Sequence, residues 1–162
     1  MENNTKYTGR FIGIPVRVKK LHPDAVIPEY AHSTDAGLDL TAVSVEYKNG
    51  AYIYGTGLAF EIPDGYVGLL FPRSSNCKKD LYLTNSVGVV DSGYRGEVKL
   101  IFKIPDQRFL NTLDYPVESN VYDVGDRVGQ LIIMPYPKIS LIESDELSDS
   151  DRGVGGYGST GK

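Results

Sequence analysis

Short runs of valine, isoleucine, leucine and tyrosine carry the apolar content of this chain, and a glycine, a proline or an Asn/Asp turn closes each of them. The 18 glycines and 9 prolines among its 162 residues interrupt it at strand-length intervals. Glycine gives up too much backbone entropy to sit inside a helix, and proline lacks the amide a helix interior needs. The runs at 13–19, 38–47, 51–60, 66–71, 81–84, 97–103, 128–135 and 139–143 read as strands. Turn signals separate them at Asn49-Gly50, Pro63-Asp64-Gly65, Ser92-Gly93 and Gly125-Asp126. Many short strands with no helices between them predict an all-β sandwich or barrel. One short helix is predicted over 74–80, where Ser74 or Ser75 can cap it and no glycine intervenes. Residues 103–120 read as a loop-like insertion. The chain divides into a β domain, 1–143, and a linker with a glycine-rich arm, 144–162.

A chain of 162 residues suits one domain that buries about 70% of its unfolded surface. A formal net charge of -4 argues against binding long nucleic acid, which wants a basic face, but leaves room for a single nucleotide held by a few local cations. The lone Cys77 cannot form an intramolecular disulfide, so a reducing, cytoplasmic-type compartment is expected. No run approaches the ~20 apolar residues of a membrane span, and no apolar signal region follows Met1.

Several segments carry chemistry. Residues 152–162 hold Arg152, five glycines, Tyr157, Ser159, Thr160 and Lys162. Bare amides, hydroxyls and cations suit phosphate, and the flat face of Tyr157 suits a base; the plain alternative is a disordered tail. The run Gly153-Val154-Gly155-Gly156-Tyr157-Gly158 fits GxGxxG but fails as a dinucleotide fingerprint, because no helix and no acidic residue follow. Pro72-Arg73-Ser74-Ser75 opens the predicted helix, where free amides favour phosphate; the alternative is an ordinary cap beside a surface arginine. In 85–96 the apolar centre places Asp91 near buried surface. There it reads as a general base, a metal ligand or a turn former. Asp35 and Asp39, four apart at a strand entry, would share a strand face, and one or two carboxylates suffice for magnesium held through water. Gln130, in Gly125-Asp126-Arg127-Val128-Gly129-Gln130-Leu131, can donate to a phosphate oxygen or lie idle at the surface.

Taken in order, these segments resemble the five motifs of the trimeric dUTPase family. Asp35-Ala36-Gly37-Leu38-Asp39-Leu40 resembles the first and Pro72-Arg73-Ser74-Ser75 the second. Asn85 through Glu97 resembles the third, Gly125 through Leu131 the fourth, and Arg152-Gly153 through Gly161 the fifth. The resemblance implies a jelly-roll-like subunit and a homotrimer with sites at subunit interfaces. It also implies a C-terminal arm that swaps onto a neighbour's site. The implied reaction is hydrolysis of dUTP to dUMP and pyrophosphate with Mg²⁺, limiting uracil in DNA and supplying dUMP for dTMP synthesis. Asp91 matches the carboxylate that deprotonates the attacking water, and Arg152 the arginine on the γ-phosphate. Tyr94 matches the ring under the deoxyribose that blocks a 2′-hydroxyl. Asn85 and the backbone from Ser86 to Val90 match a hairpin that reads uracil. Arg73, Ser74, Ser75 and Gln130 match phosphate-side contacts, and Asp39 the acid that holds magnesium through water. Gly158, Ser159 and Thr160 match the rest of the arm, with Tyr157 in place of a phenylalanine stacked on uracil.

Three departures stand out. The spacing between Arg73 and Asn85 is one residue shorter than the usual pattern, which leaves open whether Lys78 or Lys79 is equivalent to a residue of that pattern. Gly129 stands where alanine is common. The 103–120 segment is long. Two rival readings remain: a dCTP deaminase-like enzyme, and a non-catalytic jelly-roll module that binds nucleotide. In the deaminases a catalytic glutamate aligns with the position of Ile101, which speaks against the first; Asp91 and Arg152 speak against the second.

Overall fold

Ten antiparallel strands make up the described part of the protein. Its structure, a computed structural model, describes residues 13–105 and 120–156. The strands are β1 Arg17–Lys20, β2 Leu38–Thr41, β3 Ser44–Lys48, β4 Ala51–Gly55, β5 Leu58–Glu61, β6 Tyr66–Phe71, β7 Tyr82–Leu83, β8 Gly88–Val90, β9 Lys99–Lys103 and β10 Arg127–Pro135. Two four-stranded sheets, ordered β2-β10-β6-β8 and β3-β4-β9-β7, face each other, and β1 pairs with β5 at the side. This is the all-β sandwich that the strand pattern and the family resemblance imply.

The core forms where the two sheets meet. Leu40, Leu70, Val90, Val128 and Leu131 come from one sheet, and Tyr54, Leu83, Leu100 and Phe102 from the other. Each large apolar side chain removed from water in this way contributes roughly 1.5–3 kcal/mol. Tyr54, Phe102 and Tyr122 meet edge to face with centroids 5.7–5.9 Å apart, the geometry aromatic quadrupoles favour.

The structure corrects several strand boundaries. The run 38–47 is two strands in different sheets, because the chain crosses the sandwich after Thr41; the Ala42 amide bonds to the Asp126 carbonyl and the Val43 amide to that of Gly55. The run 51–60 also divides, at Thr56 and Gly57. Gly57 has φ +65°, a conformation that side chains resist. Buried Thr56 completes the corner by donating to the Val98 carbonyl at 2.7 Å and accepting from the Leu58 amide at 3.2 Å. The stretch 139–143 is not a strand in the single chain: Ile139, Leu141 and Ile142 are 77–90% exposed. The predicted helix is a 3-10 turn, Ser74–Lys78; Arg73 occupies the cap position, and no side chain caps it. No helix among the described residues is long and apolar enough to cross a membrane.

A hydrogen-bonded chain roots that 3-10 turn in the core. The Tyr54 hydroxyl donates to the Tyr122 carbonyl at 3.0 Å, the Tyr122 hydroxyl donates to Asn76 Oδ1 at 3.0 Å, and Asn76 Nδ2 donates to the Leu81 carbonyl at 2.8 Å. Burial pushes the Tyr54 hydroxyl up from 10.0 to about 12. Tyr54→Phe leaves the Tyr122 carbonyl without its partner, so it is expected to cost about 1–2 kcal/mol by urea unfolding. The pH dependence has a definite sign. The unfolded phenol ionises near 10 and the folded one near 12, so its stabilisation is complete below pH 10 and is lost as pH rises toward 12. The wild type should therefore lose stability more steeply than Tyr54→Phe across that window; parallel curves would remove Tyr54 as the cause.

Candidate active site

Strand β10 lies between β2 and β6, and its register places Gln130 opposite Asp39 on one side and Phe71 on the other. Residues directly opposite in an antiparallel pair share a face. One cluster of expected residues therefore assembles at the end of β6. Arg73 Nε donates to Asp39 Oδ1 at 2.7 Å, and an Arg73 terminal nitrogen donates to Ser75 Oγ at 3.3 Å. Arg127 donates to the other Asp39 oxygen at 3.0 Å. Gln130 Nε2 donates to the Pro72 carbonyl at 3.0 Å, and the bare backbone of Gly37 leaves room for Gln130 Oε1. Ser74 stands exposed at the start of the 3-10 turn. Two guanidiniums on one carboxylate leave this corner with a positive charge in excess, and its spare donors suit an anion.

Asp35 does not join the cluster. It lies before β2 and turns back on its own loop, accepting from the His32 amide at 2.8 Å. The two acids therefore do not share a strand face. Lys79 is likewise directed elsewhere: its Nζ donates to Asn120 Oδ1 at 3.0 Å and to the Val121 carbonyl at 2.6 Å, and it lies 5.0 Å from the Tyr122 ring centroid. Asn120 in turn donates to Asp80 Oδ2 at 2.8 Å and to the Lys78 carbonyl at 2.7 Å. This clamp holds the C-terminal end of the inserted segment against the 3-10 turn; the segment's interior, 106–119, lies outside the described residues.

A second cluster lines an open cleft of about 590 Å³ between β8 and β9. Asn85, Gly88, Val89, Val90, Asp91 and Tyr94 come from the third motif, with Lys99 and Ile101 from β9. The 84–87 turn is tight: Ser86 is left-handed at φ +58°, a costly setting for a residue with a Cβ. It passes from one sheet to the other, since β7 pairs with β9 and β8 with β6; it is not a two-stranded hairpin. A Cβ on Gly88 would stand 3.0 Å from Leu70 Cβ and 3.3 Å from Asn85 Nδ2, so glycine lets the Asn85 amide close over the backbone. Val90 is 6% exposed and offers the cleft mainly its backbone. Asp91 is exposed rather than set against buried surface, and it also forms the turn, its carbonyl accepting from the Tyr94 amide at 3.0 Å. The functional and turn readings of Asp91 are thus compatible.

The two clusters stand apart within one chain. Val90 pairs with Gly68, so Asp91 begins beyond the Gly68 level while Arg73 lies past the other end of β6. At a strand rise of ~3.3 Å per residue the two backbones are roughly 20 Å apart along the strand. Arg152 is exposed and turned on itself, its Nε donating to the Gly155 carbonyl at 2.9 Å. Tyr157, Gly158, Ser159 and Thr160 lie outside the described residues.

Arg127 belongs to the Asp39 corner and escaped the sequence reading. It pairs in register with Thr41, not Asp39, so only the packed sheet shows that its side chain reaches across to the acid. Gly129, the departure in the fourth motif, has a local cause. A Cβ there would run into Leu100 Cδ2 and stand 3.0 Å from the Phe71 carbonyl, so this core has filled with Leu100 the space an alanine would need.

A dUTPase family model matches residues 24–161. The deoxyuridine 5'-triphosphate nucleotidohydrolase of Thermobifida fusca (strain YX) is 42% identical over 151 residues, covering 91% of this chain and 79% of the relative. The protein of that name from Hydrogenobaculum sp. (strain Y04AAS1) is 39% identical over 148 residues, covering 89% and 96%. Among solved structures, the dUTPase of Staphylococcus bacteriophage 80alpha with dUPNHPP superposes with a TM-score of 0.74 at 31% identity, covering 91% of this chain and 99% of that one. A mutant dUTPase of phage phi11 of S. aureus, described for its coordination of a structural Mg(II) ion, superposes with a TM-score of 0.63 at 28% identity, over 82% and 97%.

Proposed function

The chain belongs to the dUTPase family, and from that premise we propose that it hydrolyses dUTP to dUMP and pyrophosphate in sites shared between the subunits of a homotrimer. The observation that carries the shared site is the separation of the two clusters. Asp91, the residue to activate water, and Arg73, a residue to hold phosphate, lie roughly 20 Å apart along β6 in one chain. A general base must come within hydrogen-bond reach of its water, and the water in line with the phosphorus that the cations hold. Asp91 of one copy facing the Asp39 corner of another meets that requirement, with Arg152 brought in by an arm.

Within such a site the backbone of 86–90 reads the base. Uracil offers N3–H as donor and O4 as acceptor, and cytosine reverses both. The Asn85 amide can turn to suit either, while a tight backbone turn cannot. A site built for one pattern leaves buried polar groups unpaired with the other. Tyr94 walls the sugar against a 2′-hydroxyl. Arg73, Ser74, Ser75 and Gln130 hold phosphate oxygens, and Arg152 with Ser159 and Thr160 closes on the γ end while Tyr157 and Gly158 cover the base. Asp91 takes the proton of the attacking water.

Among the described residues no three acidic, histidine or cysteine side chains converge on a metal position, and both Asp39 oxygens already meet arginines. A magnesium here would therefore be carried by triphosphate oxygens, and Asp39 would hold a water of its shell only by sharing an oxygen that an arginine now engages. Bound there, magnesium would neutralise charge building on the phosphate chain. The free, exposed thiol of Cys77 fits a reducing compartment.

The deaminase reading loses support at one atom group. Ile101 lines the cleft where that family carries its glutamate, and an alkyl chain cannot move a proton. The deciding measurement is pyrophosphate release from dUTP, dCTP, dTTP and UTP side by side, with and without Mg²⁺. Release from dUTP alone, dependent on Mg²⁺, is expected; equal release from all four, or ammonia from dCTP, would overturn the proposal.

A further inference from the structure

Glu97 lies just past the catalytic turn and has a seat built for it. Its Oε1 accepts from the Gly57 amide at 2.9 Å, and its Oε2 lies 3.1 Å from Lys99 Nζ. The side chain is only 24% exposed. A Cβ on Gly55 would run into Ser44 Oγ and stand 2.6 Å from Glu97 Oε1, so the carboxylate shares with Ser44 a notch that glycine keeps open at the β4–β5 corner. A carboxylate with both oxygens engaged and seated in that notch holds its backbone in one place.

The peptide that follows transmits this position. The Val98 amide donates to the Leu58 carbonyl at 2.8 Å, toward the core. Since a trans peptide points its N–H and C=O in opposite directions, the Glu97 carbonyl faces outward, where it accepts from the Tyr94 hydroxyl at 3.1 Å. The Tyr94 ring lies across Gly96, whose missing Cβ would collide with the Tyr94 hydroxyl. The orientation of Tyr94 is therefore set by a bare glycine and by one carbonyl, and the Glu97 carboxylate pins that carbonyl's residue to the core.

We infer that Glu97 is a positioning residue for sugar discrimination, acting through Tyr94. The inference rests on the reading of Tyr94 as the wall of a dUTP site. It concerns a residue that lines the same cleft but whose carboxylate is held by the Gly57 amide and Lys99. A steric wall that must reject one added oxygen works only if its position is held to within a fraction of an ångström. Loosening the Glu97 seat should therefore blunt rejection of UTP before it harms turnover of dUTP.

The test compares kcat/KM for dUTP and UTP in the wild type, Glu97→Ala, Glu97→Gln, Tyr94→Phe and the Glu97→Ala/Tyr94→Phe pair, each confirmed as an assembled protein. Glu97→Ala should narrow the dUTP/UTP ratio by about tenfold, with a smaller change in kcat for dUTP. Glu97→Gln keeps an acceptor for the Gly57 amide and should restore most of the ratio. Tyr94→Phe should narrow it similarly, and the double variant should add little to either single one, since both break one linkage. Should Glu97→Ala fail to assemble, Gly55→Ala, which obstructs the notch, takes its place with the same expectation. An unchanged ratio in the seat variants, or losses that simply add, would overturn the role of Glu97. A wild type that hydrolyses UTP as readily as dUTP would instead overturn the site reading beneath it.

Discussion

Removing residues 152–162 is expected to leave a folded, assembled protein whose turnover of dUTP falls on the order of 10³–10⁵-fold, the range an arginine supplied to a transferring phosphoryl group commands. Folding should survive because, among the described residues, the cut removes none of the buried core: Arg152 is exposed and its Nε donates within its own turn, to the Gly155 carbonyl. Five glycines make residues 152–162 costly to order without a ligand. Arg152, Ser159 and Thr160 can offset that cost against a triphosphate, and Tyr157 by stacking on the base, worth roughly 1–3 kcal/mol. The loss should thus fall more on kcat than on KM. The chain contains no tryptophan, so Tyr157→Trp gives an unobstructed optical signal. Its emission should change with a non-hydrolysable dUTP analogue and Mg²⁺, and much less with dUMP. Full activity after truncation, or equal optical responses to the two ligands, would show that the arm closes on nothing the reaction needs.

Asp91→Asn should lower kcat by roughly 10²–10⁴ while nucleotide binding persists, the usual contribution of a general base. The substitution keeps size and leaves the turn intact, because the bond that closes the turn uses the Asp91 carbonyl, not its side chain. Near-normal turnover would reduce Asp91 to a turn residue. The same variant tests the sharing of sites. Subunits carrying Asp91→Asn, mixed and reassembled with subunits truncated before Arg152, should regain part of the lost activity if an arm serves a neighbour's site. Stable mixed trimers without any regain would assign the arm to its own chain. A monomer of 17.8 kDa, active at the same dilution, would remove the trimer itself.

Much of this was legible in the residues. Glycine, proline and the β-branched runs specify strands and turns locally, so the sandwich and most of its strands follow from pattern alone. The ordered motifs mark candidate residues that group in space: Asn85, Asp91 and Tyr94 line one cleft, and Asp39, Arg73, Ser75 and Gln130 meet at one corner. The crossings after Thr41 and at Gly57 were not legible, because the apolar pattern continues through them and only the choice of sheet partner changes. Nor was the exposed state of 139–143, where strand-like composition finds nothing to pair with in a single chain among the described residues.

The sequence by itself determined which residues are candidates for the proposed chemistry and that they sit on strands and turns, since those properties depend on side-chain type and neighbours along the chain. Only the tertiary structure decided who meets whom. It gave Asp39 to two arginines, Lys79 to the returning end of the insertion, and Glu97 to a glycine notch beneath Tyr94. It also set Asp91 and Arg73 at opposite ends of β6. Such pairings depend on strand register and sheet order, which are settled by the packing of the whole core and leave no mark in the local spacing of residues.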